Sequence, residues 1–243
     1  MLTRYLPIFI ILSLLAEILG TVGGFGSSVF FVPVANFFFD FQSVLGITAL
    51  YHLSSNVTKI AFFKKGLDMH LILYLGIPAV IFVLAGAYFS KFLNPKLLTY
   101  ILGFFLIMTS LLFLIFKKLG VIASSKNAIL GGTLSGLSAG LLGTGGAIRG
   151  ITMAAFKLDK NKFIATSAVI DLGVDFSRTI VYYLNGYMHK HDMYLIPILI
   201  VISIIGTWMG KGILNKISQD QFRNFVLMLI LLIGILSIAF NLN

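Results

Sequence analysis

The 243-residue chain contains no cysteine, which removes disulfides, thiolate metal sites and thiol nucleophiles, and with them any inference about redox compartment. Charge is also scarce. Asp, Glu, Lys and Arg together make up 11% of the residues, less than half the usual share for a soluble domain. The glycine-rich stretch Gly140 to Gly146 is not followed by Gly-Lys-Ser/Thr, so it is no nucleotide phosphate loop. No Ser/His/Asp set with usable spacing appears, which argues against an intramembrane enzyme and calls for no cofactor. The formal charge of +10 does not indicate nucleic acid, because the basic residues fall between apolar runs and form no compact face on which phosphates could sit. Arg4 is the only early charge and no small-residue cleavage signature follows, unlike a cleaved signal peptide.

What is present is apolar: 58% of residues are hydrophobic and the mean hydropathy is +1.02. This composition predicts an all-α polytopic membrane protein. Leu71 to Phe89 and Leu97 to Phe116 are apolar on every face and about as long as a bilayer is thick. Ser43 to Phe63 is long enough to span, but its His52, Ser54, Ser55, Asn56, Thr58 and Lys59 are too polar to face lipid. Two other runs are interrupted by glycine. Leu6 to Leu19 meets Gly20-Thr21-Val22-Gly23-Gly24-Phe25-Gly26-Ser27-Ser28 before Val29 to Phe39, and Ala128 to Leu142 meets Gly143-Thr144-Gly145-Gly146-Ala147-Ile148-Arg149 before Ile151 to Phe156. A turn at membrane depth leaves peptide groups without internal partners, so it survives only where it lines a polar cavity. A helix restarting near Ala147 would aim its first N–H groups and the positive end of its dipole at that cavity, with Arg149 one turn inside. That is the chemistry of an anion site.

The second half repeats the first. A shift of 120 lays Gly23 on Gly143, Gly26 on Gly146 and Gly86 on Gly206, and a shift of 119 lays Asn56-Val57-Thr58-Lys59 over Asp175-Phe176-Ser177-Arg178. The repeats expected are residues 1–120 and 121–243, within one membrane domain, with the Lys117 to Asn127 linker between them. Loop charges bear on their orientation. Setting aside Lys59, Arg149 and Arg178 as intramembrane leaves 15 of the 18 cations. If each broken run crossed once, seven would face eight. If each returned to its starting side, Arg4, Lys91, Lys96 and Lys190 would face the other 11, and the positive-inside rule favours this arrangement. Each half is then a glycine-broken hairpin plus three transmembrane helices. That odd number of crossings inverts the halves, puts both termini outside and makes the linker cytoplasmic. Limbs of about 15 residues would reach only about 22 Å of the roughly 30 Å core, so the hairpins are read as re-entrant or strongly tilted.

With these features the chain resembles the TauE/SafE family of bacterial membrane proteins, named for sulfite export. The resemblance rests on Gly23-Gly24-Phe25-Gly26 followed by Pro33, on Gly143-Thr144-Gly145-Gly146, and on Arg178, Tyr182 and Gly186 in a second-half span. It covers essentially the whole chain. The sequence departs from the family pattern at Met153, where a proline matching Pro33 is absent, and Arg149 is not a general family feature. The resemblance implies a multi-pass protein of the bacterial cytoplasmic (inner) membrane that moves small sulfur oxyanions or organosulfonates, often outward.

A sulfite or sulfonate group spreads negative charge over three oxygens. Two helix N-termini could offer it backbone donors, Thr21, Ser27, Ser28 and Thr144 hydroxyls, and Arg149 or Arg178 a two-pronged clamp. The candidate solute-binding set is Gly23, Gly24, Gly26, Ser27, Ser28, Asn56, Gly143, Thr144, Gly145, Gly146, Arg149, Asp175 and Arg178. Glu17, Asp171 and Asp175 are candidates for proton coupling. Plainer readings stand beside these. Asp175 and Arg178 share a helix face and could simply neutralise each other, Glu17 could be protonated or paired inside the bundle, and Lys59 and Arg178 could snorkel to headgroups. His52 reads as a hydrogen-bonded interior residue, and Trp208, Tyr182 and Tyr183 as interfacial anchors. His189 and His191 flank Lys190 with a spacing that could hold a metal, but no third ligand is apparent and no metal site is expected. The function expected is a secondary transporter of small anions; the alternatives are an uncoupled anion channel or a carrier for another small carboxylate or inorganic anion. The partners expected are the solute and the lipid bilayer, with a homodimer left open.

Overall fold

Backbone groups inside lipid find partners only within their own helix, and the apolar runs fold accordingly. The computed structural model describes residues 2–24, 26–63, 66–115, 122–214, 216 and 219–239. Its helices, in chain order, are α1 (Leu2–Gly23), α2 (Ser28–Ala35), α3 (Phe41–Phe62), α4 (Met69–Ser90), α5 (Pro95–Ile115), α6 (Ser125–Leu142), α7 (Gly146–Ala154), α8 (Lys160–Leu184), α9 (Leu195–Leu214) and α10 (Gln219–Ala239). No strand occurs among the described residues. Four of these helices, α1 from Tyr5, α4, α5 and α9, are long and apolar enough to cross a membrane. Phe25, Lys64, Lys65 and the expected 120/121 boundary lie outside the described residues.

Local chemistry fixes the helix ends. Asp40, Asp68 and Asp159 each accept a backbone N–H three residues on, from Ser43, Leu71 and Lys162, all at 3.0 Å. Ser124 does the same for Asn127 at 3.2 Å. Within α4 a π-turn covers Ile72–Gly76, just before Pro78, whose missing N–H leaves the preceding turn without its usual donor.

The broken runs differ from expectation in length. The first limb is not the short Leu6 to Leu19 segment but the 22-residue α1, and in the second half α6 has 18 residues. At 1.5 Å per residue α1 is about 33 Å long, whereas α2 and α7, with 8 and 9 residues, reach only about 12–14 Å. Each hairpin therefore pairs a long limb with a short one. The expected limb stops at Leu19 because the glycine-containing run opens at Gly20, whereas the helix carries on through Gly20 and Thr21 to Gly23. Glu17 and Thr21 are both buried within it.

Packing partners give the direction of each helix. Phe9 meets Phe31, Phe38 and Phe39 edge-on at 5.9, 5.4 and 5.3 Å, folding α2 back along α1. Asn56 meets Asp175 while Gly46 meets Tyr187, so α3 and α8 are antiparallel. In α6, Gly136 packs on Ala79 and Gly140 on Val83 and Gly86, so α4 and α6 run side by side in the same direction at close range. Gly206 and Gly210 of α9 rest on Glu17 and Thr21, parallel to α1, and α5 packs antiparallel to α10 through Gly103 and Gly234. The outward residues are apolar, among them Ile81, Phe104, Ile115 and Trp208, whereas Glu17, His52, Lys59, Arg149, Asp175 and Arg178 are buried. Such an inside-out distribution suits a lipid surround.

A candidate anion site where two helix breaks meet

The two interruptions touch. Gly143 ends α6 in the left-handed region at φ 76°, where its N–H reaches the Ala139 carbonyl at 3.1 Å, and Gly26 turns the first break at φ 82°. Across the junction the Thr144 hydroxyl donates to Ser28 Oγ at 3.3 Å. A Cβ on Gly26 would stand 3.4 Å from the Arg149 guanidinium and 3.7 Å from the Asp171 carboxylate, so the backbone of one break faces the cation of the other. Gly145 is buried against the Ser135 carbonyl with no room for a side chain, which fixes the start of α7 on α6. Gly24 lies against Phe163, and Gly23 closes α1.

Arg149 is 2% exposed, one turn into α7. Both terminal nitrogens pair with the two oxygens of Asp171 on α8, and Nε donates to Ser167 Oγ at 3.0 Å. Beside this pair lies a cleft lined by Thr21, Gly26, Asn56, Lys59, Ser167 and Asp171, with about 10 Å³ of free space. That is room for roughly one water. A guanidinium at a helix start, opposite a glycine turn and balanced by a displaceable carboxylate, can exchange one anion for another.

A second polar centre stands on Glu17. Its Oε1 accepts from Ser55 at 2.7 Å, Lys59 at 2.9 Å and Thr207 at 3.0 Å; its Oε2 accepts from Ser27 at 2.6 Å and Tyr51 at 2.8 Å. The carboxylate thus ties α1, the start of α2, α3 and α9 together. Lys59 does not snorkel. It is 5% exposed, held by Glu17 and, at 2.7 Å, by Ser55. The snorkelling reading failed because α3 approaches α1 with its polar face, and a paired ammonium costs less there than a stretched side chain would recover.

The third centre joins Asp175 and Arg178 at 2.7 Å, with Asn56 donating to Asp175 at 2.6 Å. Arg178 also donates to the carbonyls of Ala139 at 3.0 Å and Gly143 at 2.7 Å, and Tyr182 donates to Gly140 at 2.7 Å. The Gly140 and Gly143 carbonyls are among those that the end of α6 leaves without helical donors, and the Ala139 carbonyl also takes the Gly143 N–H. Arg178 and Tyr182, at 1% and 0% exposure, are accordingly neither snorkelling nor interfacial: they hold the helix break. His52 bridges the last two centres, with Nε2 at 3.3 Å from Ser27 Oγ and Nδ1 at 3.9 Å from Asp175. The structure therefore gathers the predicted residues around one junction but hands Ser27, Asn56, Asp175 and Arg178 protein partners. Ser167 and Lys59 join the cleft unforeseen. Ser167 could have been found from its place one turn before Asp171 on α8.

Residues 9–237 match the family model described as "Sulfite exporter TauE/SafE". The chain belongs to the TauE/SafE family. No curated protein and no solved structure gave a match. A TauE/SafE family chain with buried ion pairs and apolar outward faces is a polytopic membrane protein of transporter type.

Proposed function

We propose that this protein is a secondary transporter that moves small sulfur-containing anions, such as sulfite or sulfoacetate, outward across the cytoplasmic membrane. The solute binds at the junction of the two helix breaks, between two inverted repeats. Opposed helix directions support the inversion: α3 runs antiparallel to its counterpart α8, and α5 to α10. The observation that carries the reading is Arg149, a buried guanidinium facing Gly26 and paired with Asp171 beside the cleft. Asp171 holds the cation while no solute is bound, and an incoming oxyanion takes its place. Protonation of Asp171 at that moment couples solute to proton, because the site tolerates one negative charge on Arg149 and not two. Glu17 and the Asp175–Arg178 pair hold the two breaks in place. A cleft with space for one water is too small for the solute, so the junction must open alternately to each side. This favours a carrier over an open channel.

Flux into proteoliposomes tests the reading. Sulfite, thiosulfate, sulfoacetate and taurine, with a cation control, are measured with and without a pH gradient. Saturable anion flux that responds to the gradient is expected. Flux linear in concentration and indifferent to pH identifies a channel, and flux of the cation control alone overturns the assignment.

A further inference from the structure

The turn between α8 and α9 brings together groups that the transport reading does not use. His189, His191 and Asp192 each present a ligand atom, and these atoms lie within 4.8 Å of one another. Asp192 Oδ2 is 3.7 Å from His189 Nδ1, and Oδ1 is 3.4 Å from His191 Nε2. In a tetrahedral site with metal–ligand bonds near 2.1 Å, neighbouring ligand atoms stand about 3.4 Å apart, so both separations suit one ion between them. The two imidazole rings lie parallel, 10° apart with centroids at 5.4 Å.

Asp192 supplies the independent observation. Its side chain is only 2% exposed, yet Oδ2 has no hydrogen-bond partner. An anionic oxygen buried without a donor is costly, and a cation held between it and the imidazoles removes the cost. The histidine side chains are 37% and 72% exposed, so an ion reaches the carboxylate from solvent. We propose that His189, His191 and Asp192 bind one divalent transition ion of the zinc class, with the outward coordination position left to water. Nitrogen ligands with one carboxylate favour such an ion over magnesium or calcium. The Ser43 hydroxyl, 2.7 Å from His189 Nδ1, is the group the ion displaces. The metal site shares no residue with the anion site.

The test is Zn²⁺ binding to untagged, purified protein in lipid nanodiscs, followed by competition with a chromophoric chelator in millimolar Mg²⁺. One Zn²⁺ per chain is expected. H191Q and D192N should each weaken it at least tenfold, S43A should leave it equal or tighter, and H70Q, a change at a distant exposed histidine, should leave it unchanged. Because His191 lies largely in solvent, H191Q should keep the wild-type melting midpoint in the absence of metal, and Zn²⁺ should raise that midpoint in wild type and H70Q more than in H191Q. Equal Zn²⁺ affinity in wild type and H191Q, or no uptake by wild type above that of H70Q/H191Q, overturns the proposal.

Discussion

Replacing Glu17 by leucine removes the acceptor on which four helices converge, and the size of the loss can be worked out contact by contact. Four hydroxyls, from Ser27, Tyr51, Ser55 and Thr207, lose a partner at 2.6–3.0 Å. Side-chain hydrogen bonds within membrane helix bundles average about 0.6 kcal/mol, so together these amount to about 2 kcal/mol. The ammonium of Lys59, 5% exposed, is left with Ser55 alone, and a buried charge stripped of its counter-ion costs about 3–5 kcal/mol. The charge decides the outcome: E17L should destabilise by about 5 kcal/mol or more. Adding K59M removes the stranded ammonium, so E17L/K59M should be more stable than E17L by about 3 kcal/mol, although it carries one more substitution. Reversible unfolding in mixed micelles, run as a double-mutant cycle, measures this directly. If K59M lowers the stability of E17L further, the hub is held by its hydroxyls and the ion-pair account is wrong.

Gly136→Leu should separate α4 from α6, since a side chain there meets the Ala79 backbone; a fall in the yield of folded protein on size-exclusion chromatography checks it, with Gly212→Leu, facing open space, as the tolerated control. Tyr182→Phe removes the hydroxyl on the Gly140 carbonyl and should cost about 1–2 kcal/mol on unfolding while leaving solute selectivity unchanged in flux assays. Partial burial pushes the Asp68 carboxyl up, but the Leu71 N–H and the Lys162 ammonium outweigh it and hold the group below its usual value of 3.8. A depressed carboxyl contributes stability above its unfolded value and loses it as pH falls through the folded one. The melting midpoint of wild type should therefore drop more than that of Asp68→Asn between about pH 5 and pH 3; parallel curves would deny Asp68 that role.

The spans were legible because lipid demands long apolar segments, and α4 and α5 lie where Leu71 to Phe89 and Leu97 to Phe116 were drawn. The breaks were legible because Gly26 and Gly143 take backbone angles that other residues resist. The partners of buried charges were not. Glu17 meets Lys59 and Thr207, which lie 42 and 190 positions away, and Arg149 meets Asp171 across 22. No periodicity links such residues, because the tertiary approach of α3, α8 and α9 creates the contact. Polarity alone made Lys59 look like a headgroup ligand and Tyr182 like an interfacial anchor, since the sequence does not tell which face a helix turns inward. Asp192 escaped notice beside His189 and His191 for the same reason: only the short turn Lys190–Asp192 brings the three together.

Calorimetric titration of the purified transporter with sulfite tests the central claim most directly, using wild type, Arg149→Ala and Asp171→Asn. Arg149→Ala should bind sulfite at least tenfold more weakly, because it loses a two-pronged charged hydrogen bond worth about 1.5–3 kcal/mol. Asp171→Asn should bind it more tightly than wild type, because the competing carboxylate is gone. Undiminished binding by Arg149→Ala, together with weaker binding by Asp171→Asn, would contradict the account.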